Sequence, residues 1–207
     1  MTSKKIKRLR NTSKIEFVEK KSVFIGYSTF VENEEQALEI IKQKKKEYAD
    51  ATHNVYAYMI GENIARYSDD NEPQGTAGMP VLNSIRMSGL TDVLVVVTRY
   101  FGGILLGAGG LVRAYSTAAS KALEAGGTRV YEEYCEYAVN ISYSDYGKFQ
   151  TELSSFDAII DNTEFADEVN IDFAIKQEDN DSFSKRITDL FNGKVSLIFK
   201  KTRIDAK

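Results

Sequence analysis

Between Thr98 and Tyr115 the chain reads TRYFGGILLGAGGLVRAY, and five glycines set between an apolar run and an alanine-rich stretch constrain its folding more than any other feature. Glycine at that density permits positive φ and lets a neighbouring chain or a ligand reach the main chain. The preceding TDVLVVV reads as a buried strand, Val93–Val97, which carries Thr98, Arg99, Tyr100 and Phe101 to its carboxyl end. A helix is predicted over 110–125, with Leu111, Tyr115, Ala118 and Ala122 along one stripe and Gly126-Gly127 as its stop. Charge, aromatic ring and bare amide therefore meet at one edge, which points to a recognition surface more than to a reaction. Two readings of the loop stand side by side. One is an anion cradle, since Gly107, Gly109 and Gly110 open a helix and Arg113 lies one turn inside. The other is a tight strand-to-helix connection. The run lacks the Lys-Ser/Thr ending of a P-loop and the acidic ribose binder of a dinucleotide fingerprint.

At 207 residues, 43% hydrophobic and 28% charged, the chain has the composition of a globular protein able to bury a core without staples. Its one cysteine, Cys135, forms no internal disulfide, and with its one histidine, His53, assembles no zinc cluster. No metal and no cofactor are expected. No window approaches the ~18 apolar residues of a membrane span. The opening MTSKKIKRLR has no apolar segment behind its charges and does not read as a secretory signal, so a cytoplasmic setting is expected. Residues 1–127 carry 17 Lys and Arg against 14 Asp and Glu, whereas residues 128–207 carry 10 against 16. The excess gathers in Lys4, Lys5, Lys7, Arg8, Arg10, Lys14, Lys20 and Lys21, read either as a solvated terminus or as a segment that engages a polyanion.

In chain order, Lys14–Lys20 and Ser22–Val31 read as an antiparallel pair. Asn33 caps a helix with Gln36 three residues on. Asn54–Ile60 and Ile64–Tyr67 form a hairpin, and Thr76 caps a helix through Met87. The second half reads as Tyr134–Tyr143 strand, a helix capped by Ser144 or Asp145, Ala158–Phe165 and Val169–Ile175 strands, Asp179–Phe191 helix and Lys194–Lys200 strand. That βαββαβ order is the ferredoxin-like pattern. His53, beside Thr52 and Asn54, reads as a hydrogen-bonded residue at a strand start, and no GxSxG elbow offers it a serine. Asp69, Asp70 and Glu72 do not fit a calcium loop, because Val81 falls where a bidentate glutamate is needed. Two readings of them remain, a looser carboxylate pair for magnesium and, favoured over it, partners of local backbone amides and of Arg66 or Arg99.

Several blocks together resemble the IMPACT family: Ser68-Asp69-Asp70, Glu72-Pro73, Gly75-Thr76-Ala77-Gly78, then Val95 to Gly103, Leu106-Gly107 and Gly109 to Tyr115, with Thr52-His53 and Ala57-Tyr58 before them. Asn71 departs from the family's usual glycine, a position where asparagine tolerates left-handed φ. The resemblance covers about residues 15–127, and the remainder is similar to the C-terminal domain of the bacterial, YigZ-type two-domain members. It implies an α+β protein with two domains. Residues 1–129 would form a two-layer α/β domain of the type found in ribosomal proteins and in domain IV of elongation factor G. Residues 130–207 would form a ferredoxin-like domain similar to domain V of that factor. Both parallels point toward ribosomes or RNA. Eukaryotic members, linked to translational control through a partner protein, carry an additional N-terminal domain for which this chain has no room, so that pathway is not transferred.

The expected function is that of a non-catalytic binding protein of translation, contacting RNA or a ribonucleoprotein. Arg66, Arg99 and Arg113 would meet phosphates, Tyr100 and Phe101 would stack on bases, and Gly102, Gly103, Gly107, Gly109 and Gly110 would lend amides. His53, Ser68, Asp69, Asp70, Glu72, Gly75 and Thr76 would support them. The alternatives are an enzyme or sensor for a small phosphorylated ligand, and an adaptor that binds only protein.

Overall fold

The structure, a computed structural model, describes residues 5–206. It divides into two compact units, Lys7–Arg129 and Val130–Lys207 together with the residues up to Ile6, so far as each is described. The described chain opens on a short strand, β1 (Ile6–Leu9), not on a frayed basic end. Lys5 reaches Glu132 at 2.7 Å, Arg8 reaches Asp92 at 2.7 Å, and the amide of Arg10 donates to the Gly127 carbonyl. The Lys5 and Arg8 charges are thus paired, Lys7 and Arg10 are exposed, and Lys4 lies outside the described residues.

In Lys7–Arg129, five strands form an antiparallel sheet. They are β2 (Ser13–Glu19), β3 (Ser22–Phe30), β4 (His53–Ile60), β5 (Ile64–Ser68) and β6 (Val93–Tyr100), in the order β2-β3-β6-β4-β5. Three helices accompany it: α1 (Glu34–Glu47), α2 (Gly78–Ser88) and α3 (Ala108–Gly126). Val93, Val95 and Val97 point into the core beneath α2 and α3, with Phe24, Val55, Ala57, Tyr115 and Ala118. Leu94 and Val96 point the other way, onto Ala37 and Ile41 of α1. A strand covered on both faces has no need to alternate, which is why VLVVV is uniformly apolar. The expected layering of sheet against α2 and α3 is present, and α1 adds cover on the opposite face.

Local chemistry sets the helix ends. The Asn33 side chain accepts from the Gln36 amide at 2.9 Å, and Gln36 Oε1 in turn accepts from the Glu32 amide at 2.7 Å, a capping box displaced by one residue. Helix α3 begins two residues earlier than its pattern suggests, at Ala108, after Gly107 at φ 72°.

The second unit runs β7 (Thr128–Ile141), α4 (Tyr143–Ser155), β8 (Ile159–Phe165), β9 (Val169–Lys176), α5 (Asn180–Leu190) and β10 (Ile198–Asp205). Strand β7 pairs with β10 and β9, and β9 with β8, all antiparallel, which is the ferredoxin-like arrangement; β1 also joins this sheet beside β7. Helix α4 is capped by Ser142, whose hydroxyl accepts from the Asp145 amide, where Ser144 or Asp145 was expected. The core is aromatic: Phe149 and Phe183 both meet the Phe173 ring edge-on, at 5.6 and 5.7 Å between centroids. Strand β10 lies later than Lys194–Lys200, because its charges are partnered across the sheet. Lys200 reaches Asp172 at 2.6 Å and Arg203 reaches Asp161 at 2.8 Å.

Among the described residues, no helix is long and apolar enough to cross a membrane.

Candidate functional site

Strand β6 extends three residues past Val97, and its alternation continues to the end. Arg99 therefore turns toward α2 and α3, and Tyr100 turns to the α1 face. Arg99 is only 4% exposed and lies between rings, its guanidinium carbon 5.5 Å from the Phe24 centroid and 5.4 Å from that of Phe101. Its Nη1 donates to Glu72 Oε1 at 2.6 Å and its Nη2 to the Ser22 hydroxyl at 3.3 Å, while Nε finds no partner. Glu72, 7% exposed, also accepts from the Tyr115 hydroxyl at 2.7 Å. Burial, then the nearby Glu72 charge, pushes the Tyr115 phenol far above its ordinary range, so it stays a proton donor. Arg99 and Glu72 form a buried ion pair, and Arg99 is not available to a phosphate as the sequence suggested.

The acidic loop builds this centre. Asp70 at φ 44° and Asn71 at φ 67° turn the chain in left-handed conformations, so asparagine does take the backbone that glycine would. Asp70 accepts from the Asn54 amide at 2.6 Å and pairs with Lys45, while its carbonyl meets His53 Nδ1 at 2.8 Å. Ser68 accepts from the Asp70 amide through its hydroxyl. Asp69 accepts from the amides of Gly75, Ala77 and Gly78 at 2.9, 3.1 and 2.8 Å, and so caps α2 from a distance. Thr76, expected to be that cap, instead donates its hydroxyl to the Pro73 carbonyl at 2.6 Å. Asp69→Ala strands three amides at a helix start and should cost about 2 kcal/mol of stability. Urea unfolding checks this, and Asp69→Asn, which keeps the accepting oxygen, should recover much of the loss.

The glycines have separate causes. A Cβ on Gly102 would sit 2.0 Å from the Lys21 carbonyl group, whereas Gly103 and Gly107 adopt φ of 82° and 72° with open space around them. The Lys21 turn is itself left-handed at both Lys20 and Lys21, a primed hairpin turn. Gly103, Gly107 and Gly109 are exposed.

Two depressions meet at Leu106. One, about 400 Å³, is lined by His53, Glu72, Pro73, Phe101, Leu105 and Leu111 among others. The other, about 350 Å³, is lined by Lys20, Arg113 and Lys121, with Glu19 the acidic group in it. Phe101 is 44% and Leu105 82% exposed at the rim. Arg66 and Tyr100 are not brought here. Arg66 lies on the α1 face, 3.7 Å from Glu34, and the Tyr100 hydroxyl donates to Asp50 at 2.9 Å. Sequence reasoning named Lys20 within the basic cluster near the start of the chain and did not name Lys121. The signal that joins them was the i, i+4, i+8 ladder Arg113, Thr117 and Lys121 on α3, beside the Lys20-Lys21 turn.

Comparison with known proteins follows the two units. Residues 20–123 match a family model described as the Impact N-terminal domain, and residues 139–194 match one described as Domain of unknown function (DUF1949). The chain is 39% identical to IMPACT family member YvyE of Bacillus subtilis, over 86% of this chain and 83% of that one. It is 32% identical to IMPACT family member YigZ of Escherichia coli, over 86% and 90%. A crystal structure of a hypothetical protein aligns with a TM-score of 0.60 at 29% identity, covering 95% of this chain and 98% of its own.

Proposed function

Since the chain belongs to the IMPACT family, a membership two matched domains and near full-length relatives establish, we propose that its Lys7–Arg129 unit binds RNA, free or within a ribonucleoprotein. The observation that carries this reading is the groove at the start of α3. Lys20, Arg113 and Lys121 are exposed there and, among the described residues, form no ion pair; only Glu19 opposes them. Three unneutralised cations in one channel raise the local positive potential and suit a phosphate backbone. The exposed Phe101 ring stands at the same end of the unit as a stacking surface. The ribosomal-protein and elongation-factor parallels implied by the family resemblance favour the same partner.

The phosphate contacts are accordingly assigned to Lys20, Arg113 and Lys121, with Arg99 holding the scaffold beneath them. Fluorescence anisotropy with single-stranded RNA tests the assignment. Arg113→Ala with Lys121→Ala should weaken binding about tenfold on every sequence and lower the salt slope by about 1–1.5. Affinity absent at low salt, or untouched by the double substitution, removes the reading.

A further inference from the structure

Resting on the RNA-binding reading, we propose that the cavity under the loop from Phe101 to Gly107 receives one unstacked nucleobase that carries an exocyclic amine. Its volume of about 400 Å³ falls within the ~300–1,000 Å³ usual for small-ligand sites and leaves room for a purine. Its walls are apolar where a base would lie: Pro73, Phe101, Leu106 and Leu111.

Its polar lining is His53 and Glu72, with Thr52, Asn71 and Arg99 beside them. The Asp70 carbonyl can only accept, so His53 Nδ1 donates to it, and in that tautomer Nε2 presents a lone pair. Nε2 lies 3.7 Å from Glu72 Oε1. That oxygen is taken by Arg99 and Tyr115, but Glu72 Oε2 accepts no hydrogen bond among the described residues although its side chain is 3% exposed. The unpaired Nε of Arg99 is itself sealed from solvent.

Glu72 Oε2, a carboxylate oxygen lining the cavity without a donor, suits a ligand that brings N–H groups. The exocyclic amines of adenine, cytosine and guanine bring two each. Uracil offers one N–H between two carbonyls, which would face the carboxylate and be repelled. The groove of Lys20, Arg113 and Lys121 shares the Leu106 wall with the cavity, so the phosphates flanking an inserted base have cations beside them.

The chain has a single histidine, so the His53 ring protons give an unambiguous NMR signal. The whole chain is titrated with adenosine, cytidine, guanosine and uridine monophosphates. In parallel, anisotropy compares a single-stranded oligoribonucleotide with the same sugar-phosphate chain stripped of its bases. The amine-bearing nucleotides should shift the His53 signals at concentrations about tenfold below uridine monophosphate. The stripped chain should bind about tenfold more weakly than the intact one, and Phe101→Ala should erase that difference. His53 signals unmoved by all four nucleotides, with stripped and intact chains bound equally, would overturn the pocket and leave the RNA reading in place. Absence of all oligomer binding at low salt would instead overturn the RNA reading, and the pocket with it.

Discussion

Replacing Glu72 by leucine should lower the unfolding midpoint of the Lys7–Arg129 unit by roughly 10–20 °C. The reasoning is that of an uncompensated buried charge. Arg99 is 4% exposed, its closest carboxylate is Glu72 at 2.6 Å, and a guanidinium does not shed its proton to escape burial. Removing the partner of such a pair costs about 3–5 kcal/mol, whereas replacing both members with apolar groups of similar size is often neutral. Glu72→Leu combined with Arg99→Met should therefore be more stable than Glu72→Leu alone. Glu72→Gln, which can still accept from Tyr115, should fall between the single variant and the parent. Calorimetry of these proteins together with the Arg99→Met single variant gives the coupling directly, and a Glu72→Leu midpoint within two degrees of the parent would show that the pair contributes nothing.

Gly102→Ala should be the second most damaging change, costing about 3 kcal/mol. The new Cβ would lie 2.0 Å from both the carbonyl carbon and oxygen of Lys21 and 2.5 Å from the Ser22 nitrogen. These are backbone atoms, so no rotamer change relieves the overlap; the hairpin turn or the loop must move. Gly107→Ala is the control on the same loop. Its Cβ would meet open space, and the remaining penalty is that of an alanine held at φ 72°, ψ 164°, a region essentially reserved for glycine, about 1–3 kcal/mol. Urea midpoints measure both; Gly102 is not among the positive-φ glycines, so a Gly102→Ala midpoint equal to the parent's would mean that close approach does not select glycine at 102.

The architecture was legible where pattern and burial agree. The uniform apolar run of β6, the alanine stripe of α3, the Asn33 cap and the βαββαβ order each follow from local rules that tertiary packing does not override. The candidate site was legible in place but not in detail. Ending β6 at Val97 released Thr98 to Phe101 from alternation and made Arg99 and Tyr100 look like neighbours, when continued pleating sends them to opposite faces. Arg66 lies two strands over from β6 and on the α1 face, a sheet order that spacing along the chain does not give. Charged strands were the other blind spot. β1 and β10 carry Lys and Arg at positions where an apolar pattern was sought, and what holds them is partners distant in sequence, such as Asp92 for Arg8 and Asp161 for Arg203. Asp69 capping α2 from nine residues away belongs to the same class, since spacing rules look only three or four residues ahead.

The seating of Lys21 on Gly102 ties the tip of the first hairpin to the loop after β6. The Ser22 hydroxyl, accepting from the Gly102 amide at 3.2 Å, adds a second tether at that joint. Lys20 and Phe101, which stand in different channels, are thereby carried on one rigid frame. A reporter dye attached at the hairpin tip would thus register occupancy of the neighbouring hollow, and slow hydrogen exchange at the Gly102 amide would mark the joint as a fixed hub, not a hinge.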